Sequence, residues 1–187
     1  MIKECFNNRD FRVLWGAGGM TGIARAMEFL ALSLYALQEL GLPYLVTIIF
    51  AARMLPMSLL GIIIGTISER ISPLLLIKII YSLSNIFTAI CVILVITNNF
   101  NVYFAFTLAF INGITWVVDL AVRRRVLAEN IKKNLLSSSL AMETLSNNAT
   151  RLIGPLCAGS LYAFVGLSGI FCLQLLMYIF ALGLILR

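Results

Sequence analysis

The sequence predicts an all-α membrane protein of six transmembrane helices, built as three plus three, with both termini in the cytoplasm. Three observations predict it. Of 187 residues, 61% are hydrophobic and 12% charged, about half the charge of an ordinary soluble domain, so part of the solvent must be lipid. Six apolar runs are each long enough to cross hydrocarbon about 30 Å thick, which takes about 20 helical residues. The connections between them alternate between carrying Lys and Arg and carrying none.

Taken in order, the runs are Val13–Leu37, Tyr44–Ile67, Leu74–Thr97, Val102–Val122, Leu135–Ala163 and Leu167–Leu186. The breaks read ELGLPY, SERISP, NNFN, RRRVLAENIKKN and FVGLS, rich in turn formers or charge. Runs of this length exceed any strand, and a helix satisfies its own backbone in lipid. Lys3, Arg9 and Arg12 precede the first run. Arg70 and Lys78 flank the second connection, Arg123, Arg124, Arg125, Lys132 and Lys133 fill the fourth, and Arg187 follows the last run. By the positive-inside rule these ends are cytoplasmic. The first run is too long for a cleaved signal peptide and contains Arg25 and Glu28, so residues 1–187 form one membrane domain.

Composition excludes several functions. Histidine is absent, which removes the commonest general base and metal ligand. Cys5, Cys91, Cys157 and Cys172 stand singly, so neither a disulfide framework nor a metal site is expected, and no cofactor motif is present. The net charge of +6 does not point to nucleic acid, because RRRVLAENIKK is a short cytoplasmic connection without interleaved aromatics.

With Lys78 counted among the charges of the second connection, six remain inside the runs: Arg25, Glu28, Arg53, Asp119, Glu143 and Arg151. Charge at mid-bilayer costs several kcal/mol, so it faces protein or a water-filled cavity. At about 1.5 Å of rise per residue, Arg25 and Glu28 sit about 20 and 24 Å from the cytoplasmic end. Arg53 sits about 14 Å from the outer end, and Glu143 and Arg151 about 12 and 24 Å from the cytoplasmic side. Asp119 falls near the cytoplasmic end of the fourth run. Arg25 and Glu28 share a stripe with Thr21 and Gly18, and Glu143, Asn147 and Arg151 share another with Ser139. Two readings fit. The charges are structural ion pairs, with Arg25–Glu28 a local pair, or they line a polar cavity that binds a substrate or a proton.

Pro56 and Pro155 remove backbone hydrogen bonds and bend the second and fifth helices. Gly61, Gly65, Gly154 and Gly159 are expected to let neighbouring helices approach closely. The stretches AARMLPMSLLG (51–61) and ATRLIGPLCAG (149–159) both place an arginine shortly before a proline. Each belongs to the middle helix of a three-helix group, the pattern of an inverted repeat.

These residues resemble the major facilitator superfamily, in particular its drug and siderophore exporter branch, over the whole chain and as its N-terminal six-helix half. The loop after the second helix, Gly65 to Pro73, is similar to the family's gating loop of form G-x-L-a-D-R-x-G-R-[KR]. Glu69 stands in the aspartate's place and Arg70 is kept, but the second glycine and the basic residues after it are missing. Gly154-Pro155-Leu156-Cys157-Ala158-Gly159 resembles the exporters' G-P-x-x-G-G with one glycine replaced. Arg123, Arg124, Glu129 and Arg151 occupy places that the exporter branch also fills.

The resemblance implies proton-coupled export of a small, often amphipathic molecule by alternating access, in the bacterial inner membrane and without enzymatic activity. Glu28 and Glu143 are the proton-coupling candidates. Thr21, Arg25, Arg53, Asn112, Trp116, Asn147 and Arg151 are the candidates for cavity and substrate contact. Pro56, Gly154, Pro155 and Gly159 form the helix-bend motif. The partners expected are the lipid bilayer, a small-molecule substrate and a second six-helix half, either a separate C-terminal half or a second copy. A fragment or split half is favoured over a homodimer. An intramembrane protease would need a serine–histidine pair or paired aspartates, and histidine is absent. A non-transporting fragment with an assembly or regulatory role is the alternative.

Overall fold

The computed structural model describes residues 9–130 and 133–186 and is helical wherever it is regular. Helix α1 spans Arg9–Leu34 and continues as a wider π-turn, Tyr35–Glu39. The amide of Leu42 reaches back to the Ala36 carbonyl at 3.1 Å, and Gly41 has φ +65°. This left-handed residue closes the helix and satisfies a carbonyl that would otherwise be orphaned.

Helix α2 spans Tyr44–Arg70 with Pro56 inside it. Helix α3, Pro73–Ile96, begins on its proline, where the missing N–H costs nothing. It ends with Asn98 left-handed at φ 56°. The Asn101 side chain then accepts from the amides of Tyr103 and Phe104, at 3.0 and 3.3 Å, and caps helix α4, Val102–Asn130. The last helical stretch, α5, runs Lys133–Leu186 with Pro155 inside it and one non-helical residue, Gly166, at φ 61°, ψ −165°. All five stretches contain segments long and apolar enough to cross a membrane.

Gly166 folds α5 back on itself. Leu135, Leu140 and Met142 pack near Phe11 and Leu127, while Ile185 packs near Leu14 and Val126. Both ends of the stretch therefore reach the same end of the bundle, and residues 133–165 and 167–186 form the two arms of a hairpin. That end also gathers Arg9, Ser72, Pro73 and Glu129 around one cleft, and Arg125 donates to the Ile71 carbonyl at 3.3 Å. The opposite end gathers connections without basic residues: Tyr35 donates to the Phe100 carbonyl at 3.3 Å, and Tyr162 to Glu39 at 3.1 Å.

Packing is layered. One apolar cluster, including Leu14, Ala17, Ile77, Tyr81, Val122 and Ile185, fills the end nearer Arg9. A second, including Met27, Leu32, Ile49, Leu108 and Phe171, fills the other end. Between them lies a buried polar belt: Thr21, Arg25, Glu28, Ser84, Thr88, Asn112, Thr115, Asp119 and Gln174. The belt crosses α1, α3, α4 and the second arm of α5 at matching heights. No single helix displays it, because each contributes only one to three members.

Three of the expectations above are corrected here. Helix α4 does not stop at Val122 but continues through Arg123–Arg125 to Asn130. Arginine, leucine, alanine and glutamate are strong helix formers, and Arg125 pairs with Glu129 one turn on at 2.7 Å. Close helix approach is not served by Gly61, which has nothing within 4 Å of an added Cβ, nor by Gly159, which has only ordinary contact with Leu30. Gly154 does serve it, as expected, and Gly113 and Gly22 serve it as well. A Cβ on Gly154 would meet the Ala26 methyl and, at 3.0 Å, the Ile23 carbonyl; one on Gly113 would meet the Arg53 carbonyl and Pro56. The two proline-containing helices are thus clamped beside their prolines, α2 on α4 and α5 on α1. The third correction concerns the Arg25–Glu28 pair and follows from the site. Gly65, Glu69 and Arg70 lie in the last turns of α2, and their side chains fall outside the described residues.

Candidate functional site

A pocket of about 500 Å³ opens between α1, α2, α4 and the first arm of α5. Arg53 comes to it from α2 and Arg151 from α5, and both guanidinium groups lie over the indole of Trp116 on α4. Their carbons are 5.7 and 5.1 Å from the Trp116 ring centroid, within cation–π range. Arg53 also lies 5.4 Å from the Phe29 ring and donates to the Arg25 carbonyl at 3.0 Å. The two arginines that precede the two mid-helix prolines therefore meet on one tryptophan. Asn147 and Thr150 add polar atoms to the wall, and Phe29, Phe50 and Met54 supply apolar surface.

Beneath the pocket lies a buried ionic network. Arg25 donates to Asp119 at 2.8 Å and to Thr21 at 3.3 Å, and Tyr81 donates to the other Asp119 oxygen at 2.9 Å. Arg123 lies 3.4 Å from both Asp119 and Glu143. Those two contacts are Coulombic: the Glu143 oxygens and the Arg123 Nε make no hydrogen bond among the described residues. Arg123 rests over Gly18, where a side chain would collide with it. The residues involved are nearly solvent-free, so each charge depends on its partner.

A second cluster surrounds Glu28. Asn112 and Gln174 donate to the same Glu28 oxygen, the latter at 2.5 Å, and Tyr178 donates to Asn112 at 3.2 Å. Glu28 is therefore not the partner of Arg25. The two share a face of α1, but each meets a different level of the antiparallel α4, Arg25 at Asp119 and Glu28 at Asn112. Shared helical spacing sets a common direction; the neighbouring helix decides the partner.

Of the residues singled out from sequence, the structure brings Arg25, Arg53, Trp116, Asn147, Arg151 and Pro155 together around the pocket. Thr21 and Asn112 are buried in the belt, Thr21 against Arg25 and Asn112 against Glu28. Glu143 is separated from Asn147 and Arg151 and faces Arg123. Pro56 and Gly154 shape the helix contacts around the site. Tyr81, Gln174 and Tyr178 are not among the sequence candidates, while sequence reasoning places Arg123 in the cytoplasmic connection and sets Asp119 apart near the cytoplasmic end. The signals were present: Arg123 is one turn from Asp119, and Gln174 is the single amide of its apolar run, one turn from Tyr178. Among the described residues, no cluster of cysteine and carboxylate groups can hold a metal ion.

The family model described as transmembrane secretion effector, of major facilitator type, matches residues 4–187. The chain belongs to this family. No curated protein matches it in sequence. As a member of this family it is an integral, multi-pass membrane protein of the major facilitator superfamily.

Proposed function

We propose that this chain is one half of a secondary transporter that exports a small amphipathic molecule by alternating access, coupled to protons. Its α5 hairpin would supply two of six membrane crossings, and a second six-helix half would close the pocket's open side. The observation that carries this reading is the convergence of Arg53 and Arg151 on Trp116. Two proline-containing helices from opposite halves of the chain meet there, in a cavity within the size range of small-molecule sites. An inverted repeat would place its two middle helices in this way around a central site.

The belt supplies the coupling chemistry. Glu28 lies within Coulombic reach of Arg53, which itself lines the pocket, so proton and cargo act on connected groups. Glu143 occupies the corresponding role beside Arg123. A proton taken up by either carboxylate frees an arginine to seek another partner, and a rearrangement of helices α1, α4 and α5 is the physical response. The structural alternative is that these pairs only lock the helices.

The test is expression of residues 1–187 in cells depleted of their own exporters, with efflux of anionic, neutral and cationic fluorescent amphiphiles followed in parallel. Export of at least one dye that collapses with a protonophore supports the proposal. No export of any dye, with the protein verified in the membrane, overturns it for the chain alone.

A further inference from the structure

Four arginines and three carboxylates belong to the pocket and the belt below it. Asp119 takes Arg25 at 2.8 Å, Glu143 takes Arg123 at 3.4 Å, and Glu28 lies within Coulombic reach of Arg53. Arg151 is left over. Among the described residues it has no carboxylate within ion-pair distance, and its described contact is the Trp116 ring at 5.1 Å. Arg53 and Arg151 also lie within Coulombic reach of each other. Among the described residues, no acidic side chain lines the pocket.

A guanidinium stacked on an aromatic face keeps its edge N–H groups free for a planar acid. The surplus positive charge therefore sits at the pocket wall with unused donors, beside aromatic surface. A cationic ligand would face two like charges and no compensating one.

We propose that the cargo is an amphipathic organic anion, its acid group held by Arg151 and Arg53 and its apolar body resting on Trp116 and Phe50. The inference rests on reading the pocket as a cargo site, and it names the chemical class. An anionic lipid headgroup shares this chemistry, so the test separates the two sources.

Trp15 and Trp116 are the two tryptophans of the chain, and Trp15→Phe leaves Trp116 as the reporter. The Trp15→Phe protein in zwitterionic nanodiscs is titrated with adamantane carboxylate, adamantylmethanol and adamantylmethylammonium, three probes with one apolar body and different charge. Thermal stabilisation of the unsubstituted chain is the second readout, in case Trp15→Phe folds poorly.

The carboxylate is expected to bind about tenfold to a hundredfold more tightly than the alcohol, the value of a charge-assisted hydrogen bond, with the ammonium weakest. Arg151→Gln should remove most of that preference and Arg151→Lys should restore part of it. Equal affinities, a cation preference, or no response to the carboxylate overturns the proposal. Loss of carboxylate binding when phosphatidylglycerol is added overturns it in favour of a lipid anion. Binding does not depend on transport: export without anion preference sinks only this inference, and anion binding without export sinks only the transport reading.

Discussion

Asp119→Asn probes the centre of the ionic belt. Asp119 has no solvent exposure, accepts from Arg25 at 2.8 Å and from Tyr81 at 2.9 Å, and lies 3.4 Å from Arg123. Asparagine keeps an oxygen for Tyr81 but loses the charge that holds two arginines. In soluble proteins, removing one partner of a buried pair costs about 3–5 kcal/mol. In a bilayer the unfolded helices keep Arg25 in a poor solvent too, and a neutral interhelical hydrogen bond is worth about 0.6 kcal/mol, at most about 1.7. The loss here is one charge-assisted bond, about 1.5–3 kcal/mol, plus a longer Coulombic contact. About 2–4 kcal/mol is therefore expected, roughly 30-fold to 1,000-fold in the folding equilibrium. Reversible unfolding in mixed micelles, followed by helical circular dichroism, measures it. The double variant with Arg25→Gln removes the orphaned cation and should recover more than half of the loss. A single-variant cost below about 0.6 kcal/mol, or costs that simply add in the double variant, would refute the pairing.

Three further outcomes follow from the same packing. Gly154→Ala places a methyl against the Ile23 carbonyl and Ala26 and should cost about 1–3 kcal/mol in the same unfolding assay, whereas Gly61→Ala, with open space around it, should not destabilise. Gly166→Ala meets no neighbour but forces φ 61°, ψ −165° on a side chain, a region that is essentially glycine's own. It should lose about 1–3 kcal/mol, while Gly183→Ala, also uncrowded, serves as the helical control. Glu28→Gln and Glu143→Gln together should abolish gradient-driven efflux while leaving the folded helical content intact; unchanged efflux in the double variant would end their assignment to proton coupling.

Long apolar runs bounded by turn residues make the helices legible, because a chain in lipid has no other way to satisfy its backbone. The charges inside those runs are equally legible, since each is costly and needs a reason. Arg53 and Arg151 stand out on that ground, each beside a proline. Less legible is the end of α4, where arginines that satisfy the positive-inside pattern also continue a helix. One of them, Arg123, turns inward to join the belt. Gln174 and Tyr178 carry no charge to mark them, and they acquire a role only because Glu28 needs donors at their height.

The sequence by itself determined that this chain lies in a membrane as a helical bundle, and which side chains could not be left facing lipid. Hydrophobicity and helical period are properties of a single segment, so they can be read one segment at a time. Only the tertiary structure decided that Arg25 joins Asp119 while Glu28 joins Asn112 and Gln174, and that the two proline-flanked arginines meet on Trp116. Partner choice depends on how antiparallel helices are registered against one another. That register is set by close approaches at Gly22, Gly113 and Gly154 and by the matching of charges across helices far apart in the chain.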